Sequence, residues 1–235
     1  MPIDGPVDAV LLDAGGVLIM PDPDVILPAL AALGVEASAS QLDRAHYASV
    51  AARDQAHAEA GLGDWEVYTR TYAEVCGAGE RAGEVARSLR PVFGAGVWTR
   101  AVPGARTGVR ELARRGLELA VISNAAGTVE RQLRDAGVCQ VADGSGARVR
   151  AVVDSYLAGI EKPAPGIFKL GLDAVGTAPE RTVMVGDMVS TDVAGAVAVG
   201  LQPVHLDPFG NCLVPHAGTH VRDLAHLAEL LERAL

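Results

Sequence analysis

An α/β fold, a doubly wound parallel sheet with an all-helical insertion near its start, is the architecture that this chain of 235 residues predicts. Three observations lead there. Val7 to Leu12 (VDAVLL) is a short apolar run that stops at Asp13-Ala14-Gly15-Gly16, the pattern of a buried strand ending in a tight loop. From about Pro21 to Val97 the texture turns Ala-rich with helical periodicity and shows no strand. After Pro103-Gly104 helical and strand-like segments alternate regularly, and βα alternation of that kind makes the strands parallel.

The elements follow in order. Within the insertion Ser40 is placed to cap a helix running to about His57, and a second helix covers Trp65 to Cys76. Trp65, Tyr68 and Tyr72 share one face of it and read as an apolar seam. Beyond the insertion come a helix from Ala105 to Arg115, a strand from Leu117 to Ile122, and a helix from Thr128 to Ala136. A strand around Ala151 to Val153 and a helix from Pro165 to Val175 continue the alternation. A strand from Thr182 to Val185, a helix from Thr191 to Val199 and a strand from Pro203 to Leu206 follow, and an amphipathic helix from Val221 to Ala234 closes the core. The segment Cys139 to Arg150 (CQVADGSGARVR) interrupts the pattern. Its DGSG reads as a hairpin turn between short polar arms, making either a small flap or a long loop.

Bulk properties narrow the function. The formal net charge of −9, with no basic block, gives no electrostatic footprint for nucleic acid. No apolar run is long enough to span a bilayer, and MPIDGPVD has acids and prolines where a secretory signal would be basic and then apolar. Three widely spaced cysteines, Cys76, Cys139 and Cys212, without a CxxC, fit a reducing cytoplasm better than a disulfide framework or a zinc site. The expectation is a cytoplasmic protein, monomer or homodimer, with a small-molecule partner and neither nucleic acid nor membrane.

Four segments carry chemistry: LLDAGGVL (Leu11 to Leu18), VISN (Val121 to Asn124), EKP (Glu161 to Pro163) and VGDMVSTD (Val185 to Asp192). Each ends or neighbours a strand-like run, and in an open α/β sheet ligands bind outside the carboxyl ends of strands. Asp13 is a carboxylate in a glycine loop, suited to attack phosphorus and split a hydrolysis into two steps. Asp13, Asp187 and a backbone carbonyl near Gly15 offer the hard oxygens magnesium takes from protein, with Asp192 in or behind the donor set. Lys162, one of two lysines against many arginines, stands before a proline that keeps it in extended backbone. Its ammonium suits a site where a carboxylate nucleophile must meet phosphoryl oxygens. Ser123 and Asn124 offer a hydroxyl and amides at a helix start. Each residue also has a plainer reading, as a turn, cap or solvated lysine. On the first long helix His46, Val50, Arg53 and His57 share a face, so His46 and Arg53 are either substrate contacts or packing.

In order and strand context the four segments resemble the haloacid dehalogenase (HAD) superfamily of aspartyl-nucleophile hydrolases, over nearly the whole chain. The resemblance implies a Rossmann-like core at 1–20 and 98–235 and a helical cap at 21–97. It implies a magnesium-dependent phosphatase with Asp13 as nucleophile, Ser123 and Lys162 as phosphoryl binders, and Asp187 with Asp192 as the acidic metal pair. One departure stands out: the family's phosphatases usually carry a second aspartate two residues after the nucleophile, as general acid and base, and this chain has Gly15. A catalytically weak phospho-ligand-binding or regulatory member is therefore the alternative. A 2-haloacid dehalogenase, which also lacks that aspartate, ranks lower, because Asp187 and Asp192 would repel an uncompensated Asp13. A phosphonate-cleaving relative would need a cap lysine, and none occurs between Pro21 and Val97.

Overall fold

The structure, a computed structural model, describes residues 3–61 and 64–233. The chain divides into two compact units, Met1–Ile19 with Ala101–Pro208 and His216–Leu235, and Met20–Arg100 with Phe209–Pro215. Among the described residues no helix is long and apolar enough to cross a membrane.

The first unit is built on β1 (Ala9–Leu12), β2 (Glu118–Ser123), β3 (Val152–Asp154), β4 (Thr182–Gly186), β5 (Gln202–Leu206) and β6 (Thr219–Val221). They lie in the order β6-β5-β4-β1-β2-β3, and every pairing is parallel. From β1 the chain winds outward through β2 and β3, then in the opposite direction through β4 to β6. Where the winding reverses, between β1 and β4, such a sheet opens a crevice beyond its carboxyl ends.

The central strands read as continuous apolar runs because both faces of a parallel sheet are covered. Ala9, Leu11, Ala120, Ile122 and Met184 form one face, packed with Ile167, Phe168 and Ala196 from the helical layer and with Leu201 just before β5. Small residues set the spacing of that layer. Gly171 of the helix Pro165–Val175 brings backbone to where a Cβ would meet Leu11 and Ile122 at 3.0 Å. At Gly108 a Cβ would stand 2.4 Å from that of Leu224, which lets the helices Ala105–Arg114 and Leu224–Arg233 touch.

The second unit is helical: Pro23–Ala32, Ala39–Ala60, Trp65–Val75 and Ala82–Leu89. Of the expected aromatic seam, Tyr68 and Tyr72 are fully buried and stacked, both against Phe93, whereas Trp65 is exposed and packs edge-on to Tyr68.

Several sequence expectations need correction. The long helix is capped by Ser38, not Ser40. Ser38 accepts from the Gln41 amide, and the Gln41 side chain returns to the Ser38 amide, a reciprocal box that Ser40 cannot make. The segment Cys139 to Arg150 is not a hairpin. Cys139–Gln140 and Ala147–Arg148 pair in parallel, and the Gln140 side-chain amide bonds both the N–H and C=O of Gly146 to close the loop. The short strands Ile19–Pro21 and Trp98–Ala101, at the limits of the insertion, pair with each other. The helix expected from Thr191 starts earlier, as a wide turn Val189–Val193 continuing into Ala194–Ala198. Val221, expected in the last helix, ends β6, and Ala234 lies outside the described residues, as do the first two and last residues of the expected core.

One packing site offers a direct check. A Cβ at Gly195 would stand 2.3 Å from the buried Phe168 ring. Gly195→Ala should therefore destabilise the protein by about 1–3 kcal/mol, read as a lowered urea midpoint at unchanged slope.

Candidate active site

At the end of β1 the Asp13 amide donates to the Val185 carbonyl of β4 at 2.8 Å, so the ladder runs one residue past the strand and fixes the aspartate's backbone. The chain then folds into a tight loop, in which the Leu18 and Ile19 amides return to the Ala14 carbonyl at 2.8 and 2.9 Å. Gly15 lies on this loop, bridged to Ile19, and Gly16 takes the left-handed φ of 69° that glycine accepts without strain. On the neighbouring strand β4 ends at Gly186, and Asp187 and Asp192 follow. Gly186 has to be glycine. A Cβ there would lie 2.2 Å from both Cβ and Cγ of Asp192.

Lys162 closes the cluster. Its ammonium donates to Asp13 Oδ1 at 2.8 Å and to Asp192 Oδ1 at 2.6 Å, and all three side chains are buried. The other oxygen of Asp192, Oδ2, accepts from the Met188 amide at 3.1 Å, so this carboxylate caps its own turn while it holds the lysine. Asp13 Oδ1 also accepts from the Ala14 amide at 2.7 Å. One oxygen from each of Asp13, Asp187 and Asp192 lies within 4.8 Å of the others, a hard-oxygen donor set that fits a divalent cation such as magnesium.

Burial raises the pKa of Asp13, against the pull of Lys162 and with the help of Asp187. For Asp192 the same burial, again opposed by Lys162 and assisted by Asp13 and Asp187, pushes the carboxyl up to about 7. Burial works against the Lys162 ammonium as well, but Asp13 and Asp192 outweigh it and hold it above the ordinary lysine value. The lysine stays charged.

Of the residues singled out in the sequence, Asp13, Lys162, Asp187 and Asp192 meet at this point. Ser123 ends β2, 5 % exposed. Asn124 is engaged by the lysine loop. Its Oδ1 accepts from the Lys162 amide at 2.7 Å and its Nδ2 donates to the Lys162 carbonyl at 3.0 Å. His46 is buried in the second unit, where Nδ1 shares a hydrogen bond of 2.8 Å with the Tyr68 hydroxyl and the ring packs edge-on to Tyr47, Tyr68 and Trp98. Arg53 lies over the Trp65 ring, its guanidinium carbon 5.5 Å from the centroid. Three contributors went unrecognised in the sequence. Asp154 and Ser155 brace the loop after Ser123 by accepting from the Gly127 amide at 2.8 Å and the Ala125 amide at 3.1 Å. His205 Nε2 donates to the Asp187 carbonyl at 3.0 Å. An Asp-Ser pair after a strand is a visible cap signal; VHLD within a strand gives none.

A reversing parallel sheet that gathers three carboxylates and a buried lysine at its topological switch defines an α/β protein with a charged cluster outside the carboxyl ends of its strands. The chain belongs to the haloacid dehalogenase-like hydrolase family, whose model matches residues 7–200. It is 34 % identical over 148 residues to a phosphoserine phosphatase of Thermus thermophilus, covering 60 % of this chain but 53 % of that one, so it spans about half the length of that relative. Over 219 residues it is 29 % identical to haloacid dehalogenase-like hydrolase domain-containing protein 3 of Bos taurus, covering 85 % and 82 % of the two chains. Its fold is similar to that of the HAD hydrolase YfnB of Bacillus subtilis, solved bound to magnesium, with a TM-score of 0.63 at 17 % identity over 96 % of this chain and 99 % of the other.

Replacing Lys162 isolates the charge effect. Lys162→Met leaves two buried carboxylates without their cation and should cost about 3–5 kcal/mol at pH 8. The loss should shrink toward pH 5 as the carboxylates take up protons, and chemical denaturation at the two pH values reads the difference.

Proposed function

We propose that this chain is a magnesium-dependent phosphatase of a small phosphorylated metabolite, acting through an aspartyl-phosphate on Asp13. The observation that carries the reading is the charge arrangement: three carboxylates face a single ammonium, an acidic excess that one divalent cation would offset. Magnesium would be held by Asp13, Asp187 and the backbone near Gly15, with Asp192 at the edge of the set because both its oxygens are already engaged. The ion supplies the positive charge that lets an anionic ester approach a carboxylate.

Both hydrogen-bond partners of Asp13 fall on Oδ1, which leaves Oδ2 to attack. A bond forms from Oδ2 to phosphorus as the ester P–O bond breaks, and the departing oxygen takes its proton from solvent. Water then attacks the phosphoryl group, phosphate leaves, and the Asp13 carboxylate is restored. Lys162 offsets charge on the transferring oxygens and keeps its own proton. Ser123 and the amides of its loop bind the phosphoryl group, with Asn124 fixing the lysine loop. The helical segment 21–97 is assigned the part of a specificity-bearing cap, in which His46 and Arg53 serve packing rather than substrate. Phosphatase activity of the Thermus relative and the magnesium in YfnB support the reading.

Gly15 favours one second reading, a member that binds phosphorylated ligands and turns them over weakly. A positioned acid–base group is worth about 10²–10⁴-fold, and this position holds none.

An aryl phosphate, whose leaving group needs little protonation, separates the two readings. Phosphate release should require magnesium and fall to background in Asp13→Asn; ligand and magnesium binding without release would establish the weaker member instead. The titration gives a second check. In the metal-free fold Asp192 holds its proton up to about 7, against an ordinary value of 3.8. Native protein thus binds more protons than unfolded chain across that window, so metal-free stability falls as pH rises through it. Magnesium, which displaces those protons, should raise Tm more at pH 8 than at pH 5, and the gain should vanish in Asp187→Asn.

A further inference from the structure

The carboxyl ends of β5 and β6 carry a second cluster that the proposed reaction does not use. His205 and His220 are register partners in this parallel pair, so their side chains leave the sheet on one face. His216 returns from the connection between the strands. The ring centroids stand 4.8 Å apart for His205 and His216, 5.0 Å for His205 and His220, and 4.6 Å for His216 and His220. One nitrogen from each ring lies within 4.8 Å of the others.

Two of the ring nitrogens are unpartnered. His205 is 2 % exposed, and its Nε2 donates to the Asp187 carbonyl at 3.0 Å. A carbonyl only accepts, so the proton sits on Nε2 and Nδ1 keeps its lone pair. That Nδ1 is buried without a hydrogen-bond partner, and so is Nε2 of His216. Buried polar atoms are partnered as a rule, so two exceptions in one cluster need a reason. A ring whose N–H is tied to a backbone carbonyl while its other nitrogen keeps its lone pair, beside two more imidazoles, is how proteins prepare a histidine for a metal.

We propose that His205, His216 and His220 form a binding site for a zinc-class divalent transition metal, with solvent as fourth ligand on the side of the exposed His220. Imidazole nitrogen suits zinc and its neighbours, whereas magnesium and calcium seek oxygen. At a Zn–N length of about 2.1 Å the donors of a tetrahedral site lie about 3.4 Å apart, so the rings need to close by no more than about 1.4 Å from the 4.8 Å bound. The His216 ring pays one bond for this. Its Nδ1 accepts from the Gly218 amide at 3.0 Å, which places the neutral ring's proton on Nε2; metal uptake at Nε2 moves that proton to Nδ1 and gives up the Gly218 bond. The His205–Asp187 hydrogen bond joins this nitrogen site to the carboxylate site. The proposal stands on the histidines and is independent of phosphatase activity.

The test uses untagged, metal-stripped full-length chain, titrated with zinc in excess magnesium and separately with Co²⁺. One equivalent of zinc should bind per chain, and Co²⁺ should develop the intense visible bands of a tetrahedral nitrogen-ligated ion. His220→Gln, an exposed change that spares the fold, and His216→Gln should each weaken zinc about ten-fold or more and abolish the spectrum. Asp13→Asn should leave both intact. Absence of stoichiometric zinc, zinc binding in both histidine variants as tight as in the unaltered chain, or loss of zinc in Asp13→Asn would overturn the assignment, the last by placing the ion among the carboxylates.

Discussion

One ammonium shared between two carboxylates organises the first unit. A buried lysine is costly unless its charge is answered, and Lys162 is answered by Asp13 from the loop after β1 and Asp192 from the turn after β4. The same ion holds those two carboxylates close despite their repulsion. Asn124, from the loop after β2, bonds both backbone polar groups of Lys162, so three loops are referred to one residue. Hydrophobic burial brings the strands together but is non-directional; the oriented bonds to Lys162 set how the loops face one another.

The sheet order makes this arrangement possible. Because the winding reverses at β1, that strand lies between β2 and β4, and the loops that follow all three emerge side by side. Asp13 extends the β1–β4 ladder by its own amide, which removes the freedom a loop residue would otherwise have. On β4 the approach of Asp192 leaves no volume for a side chain at position 186. A glycine that a β-strand would normally disfavour is thus set by the carboxylate, not by the strand.

What could be read from the sequence follows from how far each signal reaches. The alternation of apolar runs with helical segments fixes a parallel sheet, because the period and order are both local. The meeting of Asp13, Lys162, Asp187 and Asp192 followed from the rule that loops at carboxyl ends converge, with no need for distances. Signals that depend on geometry reach less far. Ser38 and Ser40 are equal candidates for a cap until the Gln41 bond to Ser38 decides between them. DGSG invites an antiparallel turn, yet the Gln140 amide closing on Gly146 gives a wider loop with parallel arms. Asn124 beside a hydroxyl reads as a phosphate ligand, and its engagement with the Lys162 backbone depends on a contact 38 residues away. His46 on a helix face reads as either a substrate group or packing, and its bond to a tyrosine hydroxyl 22 residues along is not visible in the sequence.

The glycine at position 15 changes the chemistry without changing the scaffold. The loop is held by backbone bonds from Gly16, Leu18 and Ile19 and by the left-handed turn at Gly16, none of which needs a carboxylate at position 15. In the proposed reaction, what is missing is a proton source for the leaving oxygen. Lys162 does not replace it, since Asp13 and Asp192 hold its proton more tightly than an ordinary lysine would. Nor is Asp192 free to act, with one oxygen on the lysine and the other on the Met188 amide. The proton must come from solvent or from the substrate itself. Under the proposed function such a site would discriminate by leaving-group acidity, favouring esters whose departing oxygen is already stable as an anion, with rate set by substrate chemistry rather than by an enzyme acid.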